Sequence, residues 1–423
     1  MLLKYQQKYQ DDISKIGLIV ISLFALFYCF DYFLQISISV FLQEIKSEFY
    51  ITDFKLGLMG AVFFISYIIM QMPGGYLIDC FGVKKITLWM LLCCFLGTLL
   101  MYVTSSFWML LIARVLIGLG SSIAFLCAIR AILEWLPVTC FSFFVGVLQA
   151  LLGIGAIMGQ SPIAYLSQFY NWHQISIVFC FISLVLFILF LFVDSPIKKK
   201  SKLVKMDINK NLKRTMIKLV IAALCDKHLL KLSLLGFIIW SPVASLAGFW
   251  LIPMLAFNYK ITAIEAGFMI GFFWLGMILG AIIIPIISDY IKKRKPIVVV
   301  GFMLQSITLI LLISLQLPEL VFLFCLLILG LVCPLQGFII VIAKDQYNKE
   351  NFGLLSGMLN MFAALSGGVM QLVVGGLLTY CFYNYSDPYF WSFMPYIILS
   401  VIGLYISLFK LAESYPYAEK RLV

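Results

Sequence analysis

Twelve long apolar runs, separated by short polar breaks, account for most of this chain. A bilayer core about 30 Å thick needs roughly 20 apolar residues per crossing, and a backbone in lipid must close its own hydrogen bonds. Each run therefore reads as a transmembrane helix. The expected limits are 16–41, 55–78, 86–104, 107–134, 141–167 and 172–193, then 232–257, 264–287, 296–315, 319–342, 352–381 and 390–411. Composition agrees: 63% of residues are hydrophobic and 12% are charged, against about 25% charged in soluble domains. The polar start "MLLKYQQKYQDDISK" precedes a run too long for a signal h-region and lacks a small-residue cleavage site, so the first span is expected to stay in the mature protein. The fold class expected is an all-α membrane protein.

Charge gives the orientation. With the N-terminus inside, 25 of the 30 Lys and Arg fall on inside segments, three (Lys46, Lys55, Lys260) fall outside, and Arg114 and Arg130 lie within spans. That asymmetry fits the positive-inside rule and an even number of spans, with both termini cytoplasmic. It also accounts for much of the formal charge of +11 without nucleic acid as a partner. The basic stretch "KKKSKLVKMDINKNLKRTMIKL" can lie on anionic lipid. Residues 194–231 are read as a cytoplasmic linker between six-span halves, 1–193 and 232–423.

The halves resemble each other. "FSFFVGVLQALLGIGAIMGQ" from Phe141 and "FGLLSGMLNMFAALSGGVMQ" from Phe352 share one offset, which pairs Gly146 with Gly357, Gln149 with Asn360, and Gln160 with Gln371. Asp79 in "GGYLIDCFGVKK" and Asp289 in "PIISDYIKKRKP" match at nearly the same offset, each followed by basic residues. Two pseudo-symmetric six-helix bundles are expected.

"GGYLIDCFGVKK" resembles the signature between the second and third helices of the major facilitator superfamily, and "RVLIGLGSS" resembles its second motif. Within that superfamily, "FDYFLQISISVFLQEI", "GLGSSIAFLCAIRAILEWLP" and "GAIMGQSPIAYLSQFYNWH" are similar to the branch with bacterial nutrient carriers and the lysosomal dipeptide transporter. Gln35 and Ile38 stand where Arg and Pro are expected in that branch. The resemblance implies a secondary transporter of a bacterial inner membrane, working as a monomer by alternating access. It also implies that Asp79 faces the start of the eleventh span, near Asn351 to Gly353, as a latch formed in one state only.

Ionisable side chains inside spans are functional candidates because each costs at least about 2.5–3.5 kcal/mol to insert. They are Asp31, Arg114, Arg130 and Glu134, all in the first half. Tyr28, Asp31, Tyr32 and Gln35 share one helical face. Two readings are open: a stripe facing a water-filled cavity with Asp31 as the proton site, or a carboxyl that tethers a neighbouring helix. Desolvation penalises the charged carboxylate, which can link proton uptake to opening on one side. Arg114, with Gly118 and Ser121 below it, is a coupling residue or a helix organiser. Arg130 can hold a substrate carboxylate or pair with Glu134 one turn away. Candidates for the rest of the substrate site are Gln149, Trp240, Trp250, Trp274, Gln336 and Asn360. The latch candidates are Gly75, Asp79, Gly82, Lys84, Lys85 and Asp289. Pro242, Pro253 and Pro334 can bend their helices.

Other classes are disfavoured. There is no G-x-x-x-x-G-K-[ST] loop and no H-E-x-x-H, and His173 and His228 are the only histidines, so no metal, cofactor or ATP is expected. Seven of the eleven cysteines (Cys29, Cys93, Cys94, Cys127, Cys180, Cys325, Cys333) lie in apolar runs and read as packing residues. The expected activity is proton-coupled uptake of an amino acid, short peptide or organic acid. Export of a siderophore or drug, or a receptor on this fold that no longer transports, are the alternatives.

Overall fold

The computed structural model describes residues 2–135, 141–193, 226–346 and 352–414, and all of its regular elements are helical. Helix α1 (Leu2–Ser37) tightens to a 3-10 turn at Ile38–Phe41 and continues as α2 (Leu42–Glu48). Then follow α3 (Asp53–Phe81), α4 (Val83–Val103), α5 (Phe107–Ser121), α6 (Ala124–Trp135), α7 (Phe141–Leu166) and α8 (Trp172–Leu191). Past residue 225, α9 (Lys227–Ser241) passes through a π-helical segment, Pro242–Trp250, into α10 (Leu251–Asn258). The remaining helices are α11 (Ala263–Ile291), α12 (Lys295–Ser314), α13 (Glu319–Val332), α14 (Leu335–Gln346), α15 (Phe352–Asn384) and α16 (Pro388–Phe409).

Twelve helical stretches among the described residues are long and apolar enough to cross a membrane. The first runs from Gly17 to Glu48 and the seventh from Lys227 to Asn258, so both extend beyond the limits read from hydrophobicity. The first continues through the 3-10 turn into α2, and for the seventh the reason is local capping. Asp226 accepts hydrogen bonds from the N–H groups of His228 (2.8 Å) and Leu229 (3.2 Å), which starts α9 five residues earlier than its apolar content indicates. Asn171 and Gln174 form a capping box at α8, and Asp387 caps α16 through the Phe390 N–H at 3.0 Å.

Packing divides the chain into two units, Met1–Ile51 with Val62–Ser195 and Lys260–Phe268, and Thr52–Ala61 with Pro196–Tyr259 and Met269–Val423. In the first, α1 packs on α6 and α7, and α4 on α5 and α8. In the second, α9 packs on α14 and α15, and α12 on α13 and α16. These are the same pairings, repeated. The core of the second unit is built by Leu232, Leu235 and Ile239 of α9 against Phe302 of α12, Ile339 of α14 and Leu359 of α15.

The repeat extends to a local irregularity. Between α5 and α6 the Ser122 N–H turns to Leu119 O (3.4 Å), and between α13 and α14 the Cys333 N–H turns to Gly330 O (3.1 Å). Both are i to i−3 bonds of a tightened turn. Ser122 and Cys333 stand at the offset that aligns Phe141 with Phe352.

Candidate functional site

In the first unit α1 carries Tyr28, Asp31, Tyr32 and Gln35, and all four are buried. Asp31 is only 1% exposed, and neither of its carboxylate oxygens has a hydrogen-bond partner. The Tyr28 and Tyr32 rings meet edge to face at 5.6 Å, and Tyr67 and Cys94, from α3 and α4, lie within electrostatic reach of the carboxyl. Ser121 of α5 presents its hydroxyl to Asp31, but the contact falls short of hydrogen-bond geometry and leaves Oγ unpaired.

Arg114, 2% exposed, sits on α5. Its Nη1 donates to Leu34 O at 3.5 Å, its guanidinium carbon lies 4.7 Å from the centroid of the Phe63 ring, and its Nε is unpaired. Leu34 is three residues beyond Asp31, so the cation touches the helix that carries the anion, yet neither charge takes the other as a hydrogen-bond partner. Gly118, one turn beyond Arg114, lets α5 approach α3: a Cβ there would overlap Ser66 Oγ and the Phe63 carbonyl. A desolvated cation over an aromatic face contributes about 2 kcal/mol, which offsets part of the cost of burying the guanidinium.

The other candidates of this unit are dispersed. Arg130 is exposed near the end of α6, and Gln149 is half-buried on α7. The Glu134 side chain lies outside the described residues, so the Arg130–Glu134 pairing cannot be placed in the fold. Gln160 is fully buried and donates to Ser39 Oγ at 3.2 Å.

Around the π-helical segment of the second unit the buried polar groups are neutral, while the buried charged residues of that unit, Asp53 and Arg294, sit at the starts of α3 and α12. All nine residues of the π-helical segment are buried. Gln371 of α15 donates to Ala244 O (2.7 Å), and the Tyr396 hydroxyl of α16 donates to Ser245 Oγ (2.7 Å). Trp250 and Trp274 are buried and Trp240 and Asn360 are half-buried. Trp250 Nε1, Gln336 Nε2 and Gln371 Oε1 are left without partners. Such a π segment shifts the helix register and is common at functional sites. Sequence reasoning did not single out Gln371, Ser245 or Tyr396. The one available signal was the match of Gln371 to Gln160 in the repeat.

The latch candidates separate. Gly82 follows α3 with φ of +83°, a conformation that glycine adopts without strain. Lys84 donates to Leu191 O at 2.8 Å, and Lys85 lies 5.3 Å over the Phe81 ring. Asp289 is exposed on α11. Gly75 lies within α3, while the side chain of Asp79 and residue Asn351 are outside the described residues, so the expected contact between them is not visible. Among the described residues no three His, Cys, Asp or Glu are grouped to hold a metal.

The fold and these motifs agree with the comparisons. The model of the Major Facilitator Superfamily matches residues 21–369 and 243–422. The chain belongs to this superfamily. It is 30% identical over 181 residues to the probable sulfoacetate transporter SauU of Cupriavidus necator, a match covering 42% of each protein. It is 29% identical over 147 residues to the sialic acid transporter NanX of Escherichia coli, covering 35% of this chain and 36% of that one. The matched stretches thus span less than half of these relatives. The crystal structure of a D-xylose–proton symporter aligns with a TM-score of 0.74 over 93% of this chain and 98% of that one, at 14% identity, and so shares its fold.

Proposed function

We propose that the chain is a secondary active transporter that takes up small organic anions together with protons. The observation that carries this reading is Asp31: a membrane carboxyl, fully enclosed, with no partner for either oxygen. Keeping an uncompensated carboxylate there is costly, whereas the protonated acid is not charged. Proton uptake and release at Asp31 therefore changes which packing of α1, α3 and α5 is favoured. Arg114 holds α1 from the opposite sign of charge and resets the balance when Asp31 ionises. The printed substrates of the relatives, sulfoacetate and sialic acid, support an anionic solute.

Arg130 is the candidate ligand for the substrate carboxylate or sulfonate, because its planar fork suits an oxyanion. Tyr28, Tyr32, Gln35 and Gln149 contribute hydrogen bonds and aromatic wall. Trp240, Trp250, Trp274, Gln336 and Asn360 supply the neutral contacts of the second unit. The distribution of Lys and Arg supports cytoplasmic termini, and the kinship supports a monomer in a bacterial inner membrane.

The test is transport by the purified full chain in proteoliposomes under an imposed pH gradient, offering sulfoacetate, sialic acid, amino acids and dipeptides. Wild type is expected to accumulate at least one anion, and Asp31→Asn to exchange it without accumulating it. Equal accumulation by the two proteins removes Asp31 as the coupling site. No gradient-driven movement of any solute, with binding intact, removes the carrier reading.

Gly75, Asp79, Gly82, Lys84, Lys85 and Asp289 act in this reading as a conformational latch. Asp79→Asn then slows transport while preserving the ranking of substrates; a changed ranking at an unchanged rate refutes the latch.

A further inference from the structure

Packing explains many of the glycines inside these helices. A Cβ on Gly57, Gly118, Gly155 or Gly330 would overlap the backbone of a neighbouring helix, so no larger residue fits. Gly82 is explained by its φ of +83°. Gly357 of α15 has neither reason. A Cβ there would meet no atom within 4 Å, and its φ lies outside the left-handed region. Glycine inside a helix costs stability relative to alanine, because it loses more backbone freedom on folding. Nothing in the folded chain offsets that cost at Gly357.

The helix fixes which way the open space faces. The exposed row of α15 is Val369, Val373 and Tyr380, the strip that lipid covers on a membrane helix. At 3.6 residues per turn, Gly357 lies roughly 120–160° round the helix from that row. Its own face carries Ala364, Gln371 and Gly375, all buried, with Asn360 one turn on. That face is closed at one end and open at the other: a Cβ on Gly375 would overlap Asp53 O, whereas Gly357 is exposed. Gly271 of α11, the other described helix glycine whose Cβ would meet nothing, is one turn from the exposed Phe268 and Leu275, so lipid accounts for it. The repeat sets a glycine at the matching place in α7, Gly146, just as it matches Gln149 to Asn360.

We propose that Gly357 is a specificity-determining residue: its missing side chain keeps room beside Asn360 for the body of the solute and so sets the largest anion that the chain accepts. This rests on the reading of Asn360 as part of the substrate site. From Gly357 to Gly375 the face carries no charged residue. Charge in this unit is engaged elsewhere, as where Glu413, beyond α16, accepts from the Arg294 N–H at 2.7 Å and the Lys295 N–H at 3.2 Å. The space beside Gly357 therefore takes an uncharged part of the solute, and a side chain added there competes with it for volume.

The test is equilibrium binding by the purified full chain, wild type against Gly357→Ala and Gly357→Val, over a size series of sulfoacetate, single amino acids, dipeptides and sialic acid. The affinity for the largest solute that wild type binds, relative to the smallest, should fall at least about tenfold in Gly357→Val, the discrimination that a single methylene gives in a fitted pocket. Gly357→Ala should show a smaller fall. Where wild type binds one solute only, its Kd should rise by the same factor. Gly357→Ala should also melt no lower than wild type, since alanine favours the helix and finds open space. An unchanged ratio, or an unchanged Kd for a single solute, in Gly357→Val overturns the proposal, because no solute then uses the space. A lowered melting temperature in Gly357→Ala overturns it too, because packing then requires the glycine. Wild type that binds none of the series overturns it together with the organic-anion reading. Binding needs no gradient, so the ratio decides on Gly357 independently of whether uptake is observed.

Discussion

The centres of the two units occupy matching stretches of the repeat but handle polarity in opposite ways. At the offset that pairs Gln160 with Gln371, Asp31 corresponds to Pro242, which opens the π-helical segment, and Arg114 corresponds to Cys325. The first unit buries two charges and leaves polar atoms of both unpaired. At its centre the second buries amides, hydroxyls and an indole, and ties two of them to a helix whose register has shifted. A duplicated scaffold has thus diverged at its centre: one half buries charge there and the other buries neutral polar groups. Unpaired buried charge is costly, and in the function proposed above this asymmetry puts energy coupling in the first half and neutral recognition in the second.

The largest expected effect is at Asp31. Asp31→Asn removes the titrating group with little change in shape, so gradient-driven accumulation in proteoliposomes should fall at least about tenfold; an accumulation ratio that still follows the pH gradient erases the contrast between the halves.

Arg114 comes next. Arg114→Gln gives up the contact with Leu34 O and the face of Phe63, and should lose roughly 2 kcal/mol of stability together with transport. Arg114→Lys should not restore either, because an ammonium cannot lie flat on the ring. A lysine variant with wild-type melting temperature and transport would show that only the charge matters.

Gln371→Leu sharpens the other side of the comparison. It leaves Ala244 O without its donor, at a cost near 1–3 kcal/mol for a buried unsatisfied group. Its transport should show a raised KM with the dependence on the pH gradient unchanged. Loss of that dependence would place coupling in the second unit too. Tyr396→Phe, which removes only the hydroxyl from Ser245, should cost about 0.6 kcal/mol by the average for hydrogen bonds within membranes, read as a small drop in thermal stability with transport intact.

Much of the fold was legible in sequence because the bilayer imposes one rule on every segment: length and apolarity suffice to reveal a span. Capping residues escaped that rule. Asp226 extends the seventh span upstream through hydrogen bonds that hydropathy does not register. The π-helical segment was equally hidden, since "PVASLAGFW" is as apolar as any regular helix and only Pro242 hinted at a change of register. Within the site, Asp31 and Arg114 were legible because charge is rare in these runs. Their surroundings were not. Phe63, Tyr67, Cys94 and Ser121 are ordinary residues, brought to Arg114 or Asp31 by packing between segments far apart in the chain.

The Glu413 carboxylate on the start of α12 also bears on handling the protein. Two backbone donors at the head of a membrane helix are held by a residue beyond the last crossing, and Lys231 of α9 donates to Lys410 O at 3.2 Å in the same region. The segment 410–413 therefore works as a clasp joining the last helix to the beginnings of two others. An affinity tag or fluorescent fusion belongs after it, and trimming the tail back to the end of α16 would unfasten three helices at once.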